Sequence, residues 1–351
     1  MRIIRKATKH LVIFLIIISV ILSFSALLHV YGPREYSYYD DSWDHLKPYV
    51  PETNITYNVL FDQHSHTIYS DGFLTVRQNI EWHIAMGFTA IAITDHNTLS
   101  NSDEILQLAE EYKNEIIVLQ GMEWTTLRIH LNFIGISEWP LKIPVTPTDV
   151  EIQEAINEVH NQKGVVSVNH FPATEKYAIA NVPTREDLIA WGVDFIEIVN
   201  GRDFDYESYQ LYLENKDSFG VITGTDMHSP EGRGGRVHAW TTMNVTDFSK
   251  EAIMSELRAH NTFFITNPYG VEAQGNYKVN TVYRAFRPFY KIGEGLEQIH
   301  LENQNIQSTT IAVFLLYSFG SFLFGEFLII VKNTISFRRK RNKKKLVSLQ
   351  K

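Results

Sequence analysis

The amino-acid sequence predicts an α/β domain with a mostly parallel sheet, flanked by two transmembrane helices. Short apolar, strand-like runs alternate with amphipathic helical stretches between residues 57 and 275, and a long apolar segment lies near each end of the chain. Clusters of Lys and Arg flank both apolar segments. Strands that alternate with helices indicate βα units, and about seven such units favour a barrel over an open sheet.

The first apolar segment is Leu11–Val30, and basic residues precede it at positions 2, 5, 6 and 9. A helix needs about 20 apolar residues to cross the hydrocarbon core of a membrane, so this segment is long enough. A cleaved signal peptide is the alternative, but such a peptide has a shorter apolar region and a small-residue cleavage site. We therefore expect an uncleaved anchor.

The second apolar segment is Ile311–Val331, interrupted by Glu326 and followed by the basic runs Arg338–Arg341 and Lys343–Lys345. Lys and Arg beside a membrane helix stay on its cytoplasmic side. Both segments carry these residues on their outer flanks, so we expect cytoplasmic termini and an extracytoplasmic domain between them. A carboxylate in lipid is costly, so Glu326 snorkels, pairs with another helix or is protonated.

The charge of the chain is unevenly distributed. The formal net charge is −8, but residues 31–310 hold 39 Asp or Glu against 19 Lys or Arg, a net charge of −20. Such a domain repels nucleic acid and anionic lipid headgroups, so no nucleic-acid partner is expected. The chain has no cysteine, so a metal site must use His and carboxylate ligands. The sequence does not indicate an oligomeric state.

The elements of the central domain follow from their periodicity. Residues 31–56 are interpreted as a juxtamembrane linker whose aromatic residues lie at the membrane interface, and residues 276–310 as a patternless linker back to it. The predicted strands are Val59–Asp62, Ala90–Thr94, Ile116–Leu119, His130–Ile136, Val165–Val168, Phe195–Ile198 and Val221–Thr223. The predicted helices are Thr75–Met86, Asn101–Tyr112, Thr148–Gln162, Arg185–Ala190, Tyr206–Asp217 and Lys250–Ala259. The chain thus divides into a cytoplasmic segment (1–10), a membrane helix (11–30), a linker (31–56), the central α/β domain (57–275), a linker (276–310), a membrane helix (311–331) and a cytoplasmic tail (332–351).

Residues of metal-ligand type lie where these strands end. In parallel α/β folds, functional sites form at the carboxyl ends of the strands. A lone His or Asp there is more often a hydrogen-bonded polar group or a helix cap than a ligand. At least five successive units, however, place a His or an acid at this end, which packing alone does not explain. Nitrogen and oxygen ligands suit Zn, Mn or Fe, and the candidates are His64, His66, Asp71, His96, Glu123, His130, His170, Asp226 and His228.

Seven motifs resemble, in order and spacing, those of the PHP (polymerase and histidinol phosphatase) superfamily, over about Asn58 to Pro268. The resemblance implies a distorted (β/α)7 barrel with a trinuclear metal centre that hydrolyses phosphoesters. The motifs are His64-x-His66, Ser70-Asp71-Gly72, Thr94-Asp95-His96-Asn97, Gly121-Met122-Glu123, His130-Leu131-Asn132-Phe133-Ile134-Gly135, Asn169-His170-Phe171-Pro172 and Thr225-Asp226-Met227-His228-Ser229.

The resemblance also implies ligand sets, carried over position by position. Glu123 would bridge the first two metals, and all nine positions of the family pattern are filled. The first metal would be held by His64, His66, Glu123 and Asp226, the second by Glu123, His130 and His170, and the third by Asp71, His96 and His228.

Three further residues are candidates for roles around the metals. Asp95 either orients a ligand or caps the helix that follows it. Arg233 and Arg236 lie in a Gly-rich loop after His228, where guanidinium groups grip phosphate oxygens well; the alternative is a solvated loop.

The resulting hypothesis is a hydrolase in which two or three divalent metal ions activate water against a small phosphorylated substrate. A nuclease of the same family is an alternative, which the negative domain disfavours because a nuclease needs a basic channel. The other alternative is a metal-binding sensory module that does not turn over a substrate.

Overall fold

The computed structural model describes residues 2–177, 180–299, 316–332 and 334–336. The basic tail expected after residue 337 and residues 300–315 lie outside the described residues. The chain forms two compact units, one of residues 36–279 and one of residues 1–35 with 280–351.

The described helices and strands are numbered in chain order. The helices are α1 (Arg2–Tyr31), α2 (Val76–Ala85), α3 (Ser102–Glu111), α4 (Asp149–Asn161), α5 (Phe171–Tyr177), α6 (Arg185–Ala190), α7 (Tyr206–Glu214), α8 (Lys250–Arg258), α9 (Thr281–Ile299) and α10 (Leu316–Ser336). The strands are β1 (Tyr36–Tyr38), β2 (Val59–Asp62), β3 (Ala90–Ile93), β4 (Ile117–Thr125), β5 (His130–Ile134), β6 (Val165–Val168), β7 (Phe195–Asn200), β8 (Asp203–Phe204), β9 (Gly220–Gly224), β10 (Val237–Met243), β11 (Phe263–Val271) and β12 (Tyr277–Val279).

The larger unit is an α/β fold whose main sheet is curled into a half-barrel, which confirms the α/β part of the predicted fold class. Along this sheet the strand order is β11-β10-β2-β3-β4-β5-β6-β7, with β8 and β9 both paired to β7. The pairs β2–β3, β3–β4, β6–β7 and β7–β9 are parallel. Strands β5, β8, β10 and β11 pair antiparallel with their neighbours, so the expected mostly parallel sheet is more mixed than predicted.

The helices begin where the sequence supplies caps. The Thr75 side chain accepts a hydrogen bond from the Gln78 backbone N–H, and the Gln78 side chain accepts one from the Thr75 N–H. Thr148 and Glu151 form the same reciprocal pair at the start of α4. Such capping boxes satisfy N–H groups that the first helical turn leaves unpaired. The caps position α2 and α4 outside the sheet, where their apolar faces pack onto it.

Part of the expected juxtamembrane linker belongs to the core of the larger unit. Trp43 is 2% exposed and stacks on Tyr38, with ring centroids 5.0 Å apart. Strands β1 and β12 pair with each other, so residues from both expected linkers form one small sheet. The expectation that Trp43 lies at a membrane interface is therefore wrong, because its indole is covered by apolar side chains of the domain.

The smaller unit contains α1, α9 and α10. By length and composition, Thr8–Tyr31 and Leu316–Ser336 could each cross a membrane. His10 Nδ1 lies 2.6 Å from Glu326 Oε1, and the rings of Phe14 and Phe322 are 5.3 Å apart. Of the three alternatives for Glu326, the structure shows pairing with another helix. Helix α9 lies in the range expected to be a patternless linker.

Candidate metal centre

The first group contains four side chains. His64, His66 and Asp226 follow the carboxyl ends of β2 and β9, and Glu123 extends from β4. Two backbone hydrogen bonds join the segments, from Asp226 N to His64 O (2.9 Å) and from His66 N to Met227 O (2.8 Å). His64 Nε2 lies 3.6 Å from Glu123 Oε2 and 3.4 Å from Asp226 Oδ1. His66 Nε2 lies 3.6 Å and 3.2 Å from the same two oxygens. Each of the two histidine nitrogens therefore lies beside both carboxylate oxygens.

A second group forms around the other oxygen of Glu123. Glu123 Oε1 lies 3.1 Å from His130 Nδ1 and 3.2 Å from His170 Nε2. His130 comes close because β4 and β5 form an antiparallel hairpin in which Thr125 pairs with His130. Hence a seven-residue separation in sequence becomes a contact across the hairpin.

A third group lies toward solvent. Asp71 Oδ2 is 3.1 Å from His228 Nε2, and Asp71 Oδ1 is 3.5 Å from His96 Nε2. The Asp71 side chain is 52% exposed, whereas the first group is fully buried. His66 Nδ1 lies 3.9 Å from Asp71 Oδ1, and His96 Nδ1 lies 2.7 Å from Glu123 Oε2, so both rings stand between the first and third groups. All nine candidate residues are thus gathered in one centre.

Unpaired buried atoms show that the first group fits a cation. His64 Nε2, His66 Nε2, Glu123 Oε2 and Asp226 Oδ1 are all buried without a hydrogen-bond partner among the described residues. Buried polar groups are ordinarily hydrogen-bonded, because an unsatisfied one is costly. Four ligands at metal distances of about 2.0–2.1 Å would lie about 3.4 Å apart around a tetrahedral ion. The four separations between these histidine nitrogens and carboxylate oxygens, 3.2 to 3.6 Å, are close to that spacing.

The electrostatics favour ionised carboxylates and divide the imidazoles. Nearby carboxylates outweigh burial and raise the pKa of His64 well above its usual value and that of His96 to about 10, whereas burial lowers the pKa of His130 to about 4. Burial acts to raise the pKa of Glu123, but the imidazoles of His96, His64 and His130 outweigh it and hold that pKa well below its usual range. Burial, with His228 and His96 nearby, lowers the pKa of His66 to about 3. At neutral pH the His66 ring is therefore uncharged, and the lone pair of its unprotonated nitrogen is available to a cation.

The backbone is strained at three positions of the centre. His170, Asp226 and Asn97 have φ of 30°, 56° and 52°, in the left-handed region that residues other than glycine rarely adopt. Such conformations cost about 1–3 kcal/mol each and persist where the surroundings hold them. Two of the three are candidate ligands, and the third directly follows a candidate ligand.

Asp95 contacts a loop rather than a ligand ring. Its Oδ1 accepts hydrogen bonds from Thr67 N (2.7 Å) and Ser70 Oγ (2.7 Å). Its Oδ2 accepts from Thr67 Oγ1 (2.6 Å) and Asn101 Nδ2 (2.7 Å). Asp95 thus fastens the loop that carries Asp71, instead of bonding a His ring or capping the backbone N–H groups of α3.

The two candidate arginines are placed differently. Arg233 NH2 donates to Asp226 Oδ2 at 2.5 Å, directly beside the first group. Arg236 is paired with Glu272 and is 52% exposed, and in the described part of the chain it makes no hydrogen bond or ion pair with the nine candidate ligands. Both line a cavity of about 920 Å³ that also includes Arg202 and Tyr269. Arg233 therefore connects this cavity to the candidate metal centre.

Several residues that support the centre were not identified from sequence. Asn169 Nδ2 donates to Glu123 Oε1 (3.0 Å), and Asn200 Nδ2 donates to Asp226 Oδ2 (3.2 Å). Glu197, inside β7, accepts from the His64 ring. An acid in an otherwise apolar strand was the available signal for Glu197.

Comparisons with known proteins place the chain in a family. A family model described as the PHP domain matches residues 62–224. An uncharacterised protein of Methanocaldococcus jannaschii is 39% identical over 191 residues, which cover 49% of this chain and 82% of that protein.

Two solved structures are similar at low identity. A two-domain protein from Bacteroides vulgatus, containing a predicted PHP-like metal-dependent phosphoesterase, is 22% identical with a TM-score of 0.49, over 70% of this chain and 73% of that chain. An amidohydrolase from Chromobacterium violaceum is 16% identical with a TM-score of 0.38, over 59% of this chain and 97% of that chain.

The α/β fold, the His and carboxylate groups and the matched domain together indicate a metal-dependent hydrolase. The chain belongs to the PHP-domain family. The expectation drawn from the sequence motifs is confirmed at this level.

Proposed function

We propose that the protein hydrolyses a phosphoester at a centre of two or three divalent cations, with Zn, Mn or Fe as the candidates. The observation that carries this proposal is the set of four neighbouring ligand atoms that are buried without a hydrogen-bond partner among the described residues. Their separations suit a cation, and a cation would satisfy all four atoms at once.

The residues divide into three sets, as the family pattern implies. His64, His66, Glu123 and Asp226 would hold the first cation, and Glu123 would also serve the second. The second set is completed by His130 and His170, and the third consists of Asp71, His96 and His228. We take the curled half-barrel to be the distorted (β/α)7 barrel of the family.

Divalent cations at such a centre lower the pKa of water and stabilise charge on phosphoryl oxygens. The protein's own side chains orient the metal ligands and bind the substrate. Arg233 keeps Asp226 oriented through Oδ2 and leaves Oδ1 facing the centre. Its guanidinium lies between the centre and the cavity, where a substrate phosphate would come within its reach, and Arg236 approaches from the same loop. The adjoining cavity, about 920 Å³, accommodates the rest of a small phosphorylated substrate.

We also propose that α1 and α10 anchor the chain in a membrane, with both termini cytoplasmic and the catalytic domain outside. The basic residues on the outer flanks of the two helices support this orientation. The His10–Glu326 pair supports a retained α1, because it gives a carboxylate within an apolar helix a partner.

The test is turnover by the full-length chain in detergent, supplied with Mn or Zn, against a panel of phosphomonoesters and phosphodiesters. We expect metal-dependent release of phosphate or alcohol, which His64→Ala abolishes. A metal-loaded protein that turns over no phosphoester would instead be a binding or sensory module. Hydrolysis confined to nucleic acids would identify a nuclease.

A further inference from the structure

A buried carboxylate outside the family's ligand pattern lies behind two of the candidate ligands. Glu197 is in the middle of β7, between apolar neighbours, and is 1% exposed. A Cβ at Gly224 on the adjacent strand β9 would collide with Glu197 Oε1, so glycine at that position leaves the room that the carboxylate occupies. Burial of a carboxylate is costly unless it is hydrogen-bonded on both oxygens.

Glu197 is fully hydrogen-bonded, and every partner is placed to donate. Oε1 accepts from Gln63 Nε2 (2.9 Å) and is 3.1 Å from His64 Nδ1. Oε2 accepts from the His170 backbone N–H (2.7 Å) and Asn200 Nδ2 (3.1 Å). The amide of Gln63 is oriented independently, because its oxygen accepts from Asn132 Nδ2 at 2.9 Å.

This arrangement determines the tautomer of His64. An ionised carboxylate can only accept, so the His64 proton lies on Nδ1. The lone pair on Nε2 then points toward Glu123 Oε2 and Asp226 Oδ1, where the first cation would bind. A carboxylate behind a metal-binding histidine fixes both the orientation and the basicity of the ring.

The same carboxylate also holds His170. The His170 backbone is left-handed, with φ of 30°, and its N–H donates to Glu197 Oε2. This conformation directs His170 Nε2 to within 3.2 Å of Glu123 Oε1, in the second group. The rings of His64 and His170 stack with their centroids 5.7 Å apart.

We propose that Glu197 is a positioning residue that fixes one ligand in each of the first two cation sites. The first and second sites then depend on a single carboxylate. The third site is made by Asp71, His96 and His228, and among the described residues none of these three forms a hydrogen bond or an ion pair with Glu197. This inference rests on the proposed function for the cations themselves.

The variant Glu197→Gln tests the proposal, because it keeps size and removes charge. The amide must turn its NH₂ toward the donors of one ligand, and the hydrogen bond to the other ligand loses its charge assistance, so the support of both ligands weakens. In the full-length chain in detergent, titration with Mn²⁺ against a chelator should show affinity at two sites lowered about 10- to 100-fold, with a third site unchanged. Asp205→Asn is the matched control, since Asp205 is a buried carboxylate that bonds Arg185 and Ser208 away from the centre.

A second measurement needs no substitution of Glu197. In ¹⁵N spectra of the Zn²⁺-loaded wild-type protein, the His64 ring, identified by its loss in His64→Gln, should be protonated at Nδ1. Protonation at Nε2, wild-type Mn²⁺ binding by Glu197→Gln, or equal weakening of all three sites would each overturn the inference. If the wild-type chain binds no Mn²⁺ at all, the proposed function fails with it.

Discussion

At the scale of single residues, each carboxylate of the first group has one oxygen that accepts hydrogen bonds and one oxygen that has no hydrogen-bond partner among the described residues. Glu123 Oε1 and Asp226 Oδ2 accept hydrogen bonds, while Glu123 Oε2 and Asp226 Oδ1 are buried without one among the described residues. An unsatisfied buried group costs roughly 1–3 kcal/mol, and more when it is charged. A bound cation offsets that cost, so metal should stabilise the folded protein as well as serve the reaction.

The two arginines of the Gly-rich loop give a prediction at the same scale. Arg233→Ala should lower kcat/KM on a phosphoester about tenfold to a hundredfold, because a hydrogen bond to a charged group contributes roughly 1.5–3 kcal/mol. Arg233→Lys should restore activity only in part, since a point charge does not match a two-pronged contact. Steady-state kinetics, with metal content measured in parallel, checks this.

Arg236→Ala is the matched control within the loop. Its guanidinium is already paired with Glu272 and half exposed, so we expect a smaller loss than for Arg233. If Arg233→Ala hydrolyses phosphoesters at the wild-type rate, then the loop does not contact the phosphate.

At the scale of elements, the periodicity of apolar residues predicted the helices and strands that have a clear apolar face. Strands β2 and β6 and helix α6 have the predicted bounds, and the other predicted elements differ mainly at their ends. Strand β11 was missed because Pro268 and Gly270 interrupt it, and a strand that contains Pro is tolerated at a sheet edge, where β11 lies. Helix α9 was missed because Pro288 lies inside it.

The apolar helices α1 and α10 carry a prediction about topology. A reporter fused after Lys351 should be cytoplasmic, and one inserted near Glu302 should be outside. An epitope placed before Arg2 should remain on the mature protein, because a retained α1 keeps His10 beside Glu326. The reverse reporter pattern, or loss of the epitope by cleavage, would overturn the proposed orientation or the retained anchor, respectively.

At the scale of the whole molecule, the centre draws on residues from His64 to His228, which only the fold brings together. The nine candidate ligands could be identified from sequence because they recur at the carboxyl ends of successive strands. Glu197 and Asn169 could not be assigned roles, because a lone acid or amide near a strand end has many structural uses. The close contact of His130 with Glu123 depended on an antiparallel hairpin that the predicted parallel sheet did not include.

The most direct test of the account is the metal content of the full-length protein, purified under metal-replete conditions and measured by elemental analysis. We expect two or three divalent ions per chain in the wild type, and fewer in His64→Ala and Asp226→Ala, with circular dichroism confirming that both variants fold. A folded wild-type protein that holds no divalent metal would contradict the central claim.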